Sequence, residues 1–279
     1  MKHIYLNLKR FDVEAEYGGV NHLAPLNQWA ETIVQSVEEG LEEYRGKNVE
    51  FVQFYPELHL LQAIQARQSG SLLQVGSQGV FREDVEKGKN FGAFTTNLPA
   101  AVVADMGCSH VLIGHCEERK DLRGILKTAG TENEEAISKI LNQEILAAQN
   151  RGLNVVYCIG EDVAEKARWK EVLGNQIRIG LEGVDTSKVV IAYEPIWSIG
   201  PGREPAGKEY ITKIARFIKK EFGDIDVVYG GGLKADNAAM LASIEEISGG
   251  LIALTRFQGD IGFYPEEYLE IIQLYLSDY

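Results

Sequence analysis

The chain has little cysteine, no surplus of positive charge and no long apolar run, and each shortage excludes something. Cys108, Cys116 and Cys158 form an odd set with no CxxC pair, which points to a reducing, cytoplasmic setting. Lys and Arg number 28 against 41 Asp and Glu, a net charge of −13. Phosphate backbones are held by concentrated positive charge, so nucleic acid is not an expected partner. A few local donors can still hold a small anion inside an acidic protein. No apolar stretch approaches the roughly 18 residues of a membrane span. The chain passes from Met1 straight into a strand-like pattern, without the layout of a signal peptide. No clustered His/Cys/Asp ligand set is visible, so neither a metal nor an organic cofactor is expected. Linkers rich in Ser, Pro or Gly are also missing, and residues 1–279 are expected to form one domain.

What the sequence does have is alternation. Apolar strand candidates at His3–Phe11, Val49–Tyr55, Leu72–Val80, His110–Glu117, Asn154–Glu161, Val189–Trp197, Val227–Gly232 and Gly250–Phe257 are separated by amphipathic stretches. The helical ones include Asn27–Tyr44, Leu58–Gln68, Glu132–Asn150, Val163–Leu181, Lys208–Phe222, Ala235–Ile244 and Pro265–Leu276. Thr131-Glu132-Asn133-Glu134 fits a capping box. Eight βα units in a chain of this length predict an α/β protein, a single (β/α)8 barrel. An open doubly wound sheet is the alternative.

In a barrel, chemistry collects at the C-terminal ends of strands. Three ends carry suitable groups. In the first, Asn7 and Lys9 are two residues apart and so share a strand face. A lysine turned toward a barrel interior needs an anion or a solvated pocket, although most strand-end lysines are simply solvated. In the fourth, His115 follows an apolar run and Gly114, with Glu117 two residues on; a lone histidine is more often a core or surface residue. Cys116 reads as packing, because no activating base is evident beside it. In the sixth, Val189–Ala192 leads into Glu194, followed by the stiff Pro195-Ile196-Trp197 and the flexible Ser198-Ile199-Gly200-Pro201-Gly202. A carboxylate beside a lid-like loop suits proton abstraction from carbon, whereas a bland glutamate would only pair with a neighbouring cation.

Asn7-x-Lys9, Gly114-His115-x-Glu117 and Ala192-Tyr193-Glu194-Pro195-x-Trp197-x-Ile199-Gly200-x-Gly202 resemble the signature segments of triosephosphate isomerase, in that family's order. Gly92-Ala93-Phe94-Thr95, Cys158-Ile159-Gly160-Glu161 and Tyr229-Gly230-Gly231 add to the likeness, which spans nearly the whole chain. The resemblance implies a TIM barrel that interconverts glyceraldehyde 3-phosphate and dihydroxyacetone phosphate through an enediolate. It implies Glu194 as general base, His115 as neutral electrophile, Lys9 as cation and Asn7 as orienting group. Glu117 would organise the site from behind, and Ile199 would crowd the base when the lid closes. Gly200, Gly231 and Gly232 would offer backbone N–H groups to the substrate's phosphate. A homodimer is implied too, with Thr95 approaching the neighbour's site.

The pattern departs from the family around the phosphate. Strand 8 ends in Leu254-Thr255, or in Gly259-Asp260 if the longer loop is inserted earlier, where the family carries a Gly-Gly pair. Arg256 could compensate as an anion ligand or could form a rim salt bridge. Gly232 replaces a serine, Glu118 an arginine and Cys116 a serine, and Pro205 should stiffen the lid's far hinge. These changes keep two alternatives open: the same mechanism on another sugar or sugar phosphate, such as a tetrulose phosphate, or a barrel that binds a metabolite without turnover.

Overall fold

The structure is a computed structural model and describes residues 1–199, 203–277 and 279. Eight parallel strands close into a barrel in the order β1 to β8, each hydrogen-bonded to its sequence neighbours and β1 to β8. They are β1 (Lys2–Asn7), β2 (Val49–Tyr55), β3 (Leu73–Ser77), β4 (His110–Ile113), β5 (Asn154–Ile159), β6 (Val189–Tyr193), β7 (Asp226–Tyr229) and β8 (Gly249–Ile252). The sheet closes because β1 pairs with β8 from His3↔Gly249 to Leu6↔Ile252. Two seams are short. β3 meets β4 only at Gly76↔His110 and Ser77↔Val111, and β7 meets β8 only at Val228↔Gly249 and Tyr229↔Gly250.

The helices cover the outside: α1 (Trp29–Leu41), α2 (Leu60–Ala66), α3 (Ala100–Asp105), α4 (Cys116–Thr128), α5 (Glu134–Asn150), α6 (Trp169–Gly180), α7 (Lys208–Phe222), α8 (Ala238–Ala242) and α9 (Pro265–Tyr275). Period-2 alternation divides the strand residues between two cores. Ile4, Leu6, Phe51, Val111 and Ile191 pack outward under the helices. Tyr5, Val52, Phe54, Leu112, Val156, Cys158, Ala192, Val228 and Leu251 fill the barrel. Continuing that inward phase past Tyr5 and Ala192 reaches Asn7 and Glu194, which is how the alternation delivers them to the C-terminal mouth.

Several expectations need correcting. The first strand ends at Asn7, and Lys9 lies beyond it with φ +42°, so the two do not share a strand face. The fourth strand stops at Ile113; Glu117 is in the first turn of α4. By alternation His115 would point outward, but Gly114 has φ +81° and turns the chain so that His115 caps α4 at the mouth. The α5 cap is Asn133, whose side chain accepts from Ala136 N–H, rather than Thr131. Helices α3 and α4 were not foreseen.

Candidate active site

Glu194 is a confined acid in the mouth. It is 1% exposed, and Gly230 and Gly160 allow that confinement. A Cβ on Gly230 would meet Glu194 Cγ at 2.7 Å, and one on Gly160 would meet the Glu194 carbonyl oxygen at 2.0 Å. Its Oε2 accepts from the Cys116 backbone N–H at 2.9 Å, at the N-terminal end of α4. Oε1 lies 3.2 Å from His115 Nε2. That ring N–H is misaligned, so Oε1 has no hydrogen bond among the described residues. Burial pushes the Glu194 carboxyl above its ordinary range, against the pull of His115, the Cys116 N–H, Lys9 and Arg119. A carboxylate with raised proton affinity suits a general base.

His115 Nδ1 accepts from Glu117 N–H at 3.2 Å. That nitrogen therefore carries no proton, and in the neutral ring the proton is on Nε2, on the Glu194 side. Lys9 Nζ donates to Glu117 Oε1 at 2.9 Å. Asn7 holds the Lys9 turn, its Oδ1 accepting from Lys9 N–H at 3.0 Å. Gln78 Nε2 braces the same turn by donating to the Lys9 and Phe54 carbonyls at 3.1 and 3.2 Å. Sequence reasoning passed over Gln78, and no local pattern marks it.

Glu161 was quoted only as part of a motif, yet it anchors the start of the lid. It is fully buried. Its Oε1 accepts from Tyr193 Oη at 2.9 Å, Trp197 Nε1 at 2.9 Å and Tyr210 Oη at 3.0 Å. Burial raises the proton affinity of the Tyr229 hydroxyl against the pull of Ser198 and the Ala206 backbone, which lie one on each side of the lid segment. Arg119 is buried beneath the mouth, with Nε donating to the Gly114 carbonyl at 2.9 Å and Nη2 to Tyr157 Oη and the Cys158 carbonyl, both at 3.0 Å. Glu118 lies half-buried beside the buried Glu144 of α5, and Glu118 Oε2 accepts from Gly114 N–H at 2.5 Å. Burial and mutual repulsion raise the proton affinity of Glu144, whose Oε2 is unpartnered among the described residues.

The remaining predicted residues are placed as follows. Gly231 and Gly232 lie half-buried just beyond β7, Gly232 with φ +99°. Ile199 is half-buried after the 3-10 turn Ile196–Ser198. Thr95 is exposed in the segment after β3. Gly200 lies outside the described residues. Arg256 is committed elsewhere: its Nε donates to Glu267 Oε1 at 2.7 Å, and its guanidinium stacks 3.6 Å above the Tyr264 ring. The rim salt bridge is thus the form observed. Beyond β8 the chain makes a hairpin-like loop with an antiparallel Arg256↔Gly262 bridge, and no helix is described there before α9. The mouth also brings together three side chains that the sequence leaves apart. Donor atoms of His115, Cys116 and Glu194 lie within 4.8 Å of one another. No helix among the described residues is long and apolar enough to cross a membrane.

Comparison with known proteins agrees with this arrangement. The sequence profile of the family described as triosephosphate isomerase matches residues 25–273. A triosephosphate isomerase of Marinobacter nauticus is 33% identical over 237 residues, covering 81% of this chain and 84% of that protein. One from Geobacter metallireducens is 34% identical over 220 residues, covering 74% and 80%. The crystal structure of triosephosphate isomerase from Bartonella henselae superposes with a TM-score of 0.72 and 23% identity, covering 99% of both chains, and supports the fold.

Proposed function

This chain belongs to the triosephosphate isomerase family, and from that premise we propose that it interconverts glyceraldehyde 3-phosphate and dihydroxyacetone phosphate with Glu194 as the base. The chain is an isomerase, an intramolecular oxidoreductase, by its relatives. The observation that carries the residue assignment is the pairing of a buried, proton-hungry Glu194 with His115 Nε2 at 3.2 Å.

In this mechanism Glu194 leaves the Cys116 N–H and removes a proton from the carbon beside the substrate carbonyl. The Nε2–H of His115 donates to the carbonyl oxygen as negative charge develops there. Lys9 supplies positive charge near that oxygen and the substrate's anionic end, and Asn7 holds the Lys9 turn and orients the oxygens. The resulting enediolate takes the proton back on the neighbouring carbon, which exchanges aldose for ketose with no net redox change. An enediolate beside a phosphate can expel it in water, so the lid carrying Ile199 and Gly200 closes over the site, with Gly231 and Gly232 lining the anion end. We assign the chain to the cytoplasm as a homodimer in which the segment around Thr95 meets the partner, as is usual for the family.

A second substrate within the same mechanism is favoured by one observation. The chain beyond β8 forms a hairpin-like loop with Arg256 tied to Glu267, which reshapes the end that would receive phosphate. A four-carbon ketose phosphate fits that reading. The test is turnover of triose phosphates and of a panel of longer aldoses and ketoses, in heavy water. Triose phosphate turnover with deuterium uptake at carbon, cut by orders of magnitude in Glu194→Gln, is expected. Turnover restricted to a longer sugar would move the assignment to the second substrate. Binding without any exchange at carbon would overturn both.

A further inference from the structure

The loop after β7 carries a cation that the mechanism above does not use. Gly230 abuts Glu194, and the same loop continues at the mouth to Lys234, which is half-buried. The Lys234 backbone is fixed. Asn237 Oδ1 accepts from Lys234 N–H and Asn237 Nδ2 donates to the Gly232 carbonyl, both at 2.9 Å. Leu233 N–H donates to the Leu251 carbonyl of β8, also at 2.9 Å. From that anchored turn the lysine side chain folds back over Gly232: a Cβ on Gly232 would lie 3.4 Å from Lys234 Cε. Its Nζ rests 4.1 Å from the centroid of the Phe257 ring, which the loop beyond β8 supplies.

Lys9 and Arg256, the other cations placed at this mouth, are each paired with a glutamate. Lys234 has no carboxylate oxygen within 4.0 Å among the described residues. An ammonium has three donors, and an aromatic face satisfies its charge only in part. We propose that Lys234, seated on Phe257, holds the anionic group of the substrate, a phosphate monoester, beside Gly231 and Gly232. Two departures read from the sequence then act together. Glycine in place of serine at 232 leaves space for the lysine stem, and the longer loop beyond β8 supplies the aromatic shelf. The shelf restricts a side chain rich in rotamers, so less freedom is lost when the anion binds. Arg256 is not needed for the anion on this reading, in keeping with its bond to Glu267.

The reaction that this anion site serves rests on the isomerase assignment, whereas the anion site itself stands on the geometry. The experiment therefore has two arms, on wild type, Lys234→Met and Lys234→Arg, each checked for folding by circular dichroism. In the first arm, turnover of the best sugar phosphate is followed. Losing one charge-assisted contact should lower kcat/KM about 10- to 100-fold in Lys234→Met, and Lys234→Arg should recover most of it. Phe257→Leu should cost a few-fold through loss of the ring face. In the second arm, calorimetric titration with inorganic phosphate at constant ionic strength should show binding to wild type and Lys234→Arg that is lost in Lys234→Met. No phosphate binding to the wild type, or binding that survives Lys234→Met, overturns the site. So does an arginine variant as impaired as the methionine one, because packing alone would then explain both. A protein that turns over no sugar phosphate fails the isomerase assignment, while the phosphate titration still decides the site.

Discussion

Trp197→Phe tests whether the lid is anchored through Glu161. Glu161 is fully buried, and its Oε1 collects three donors. Burial lifts the carboxyl's proton affinity despite them. Removing the indole N–H deletes one hydrogen bond to a charged group, worth about 1.5–3 kcal/mol. Phenylalanine keeps an edge for the Tyr210 ring, now met at 5.4 Å and 87°. It weakens the contact with Lys166 Nζ, 3.4 Å from the ring centroid, by a further ~0.5 kcal/mol. The expected loss is thus about 2–3.5 kcal/mol, most of it through one bond. Glu161→Gln keeps the shape and an acceptor oxygen but removes the charge. Urea unfolding of wild type, both single variants and the double variant gives the coupling energy, which should be about 1 kcal/mol, the difference between a charged and a neutral hydrogen bond. Because Trp197 belongs to the turn directly after Glu194 and Pro195, kcat and KM should worsen together in Trp197→Phe. A coupling below about 0.5 kcal/mol, within the error of additivity, would refute the anchor.

Arg256→Ala should leave KM for the best substrate unchanged and lower the melting temperature, because its guanidinium is occupied by Glu267 and Tyr264; a large rise in KM would return Arg256 to the anion site. Glu144→Gln should remove a pH dependence. The Glu144 carboxyl holds its proton in the fold well above the ordinary 4.5, so stability is fully present below that value and is lost as pH rises toward the folded pKa. Wild type should melt higher at mildly acid than at alkaline pH, and the variant should flatten that slope; an unchanged slope would exclude Glu144 as its source.

The strands were legible because two faces of each are buried, giving eight apolar runs with little competition from other patterns. Their ends were not, since the turning points are single backbone conformations, Gly114 at φ +81° and Lys9 at φ +42°. Helix α4 escaped notice for a different reason. Cys116-Glu-Glu-Arg-Lys-Asp carries almost no apolar stripe, and the helix buries only Arg119 among its described residues. Asn7, Lys9, His115 and Glu194 were named from motif order, whereas Gln78 and the carboxyl pair Glu118–Glu144 act through contacts no spacing announces. Arg256 looked available because Glu267, its partner, lies across a loop. The close approach of Glu194 to His115 and Cys116 was missed for the same reason, Glu194 being remote from them in sequence.

The two short seams divide the barrel's strands into two groups, β4 to β7 and β8-β1-β2-β3, each joined internally by longer ladders. Asn7 and Lys9 belong to one group, His115 and Glu194 to the other. Native-state hydrogen exchange should therefore find the β3–β4 and β7–β8 amides opening as a low-energy unit, ahead of global unfolding. A partial opening of that kind would part Lys9 from Glu194 while both halves remained folded, so on the proposed assignment the protein would lose activity before it lost most of its secondary structure.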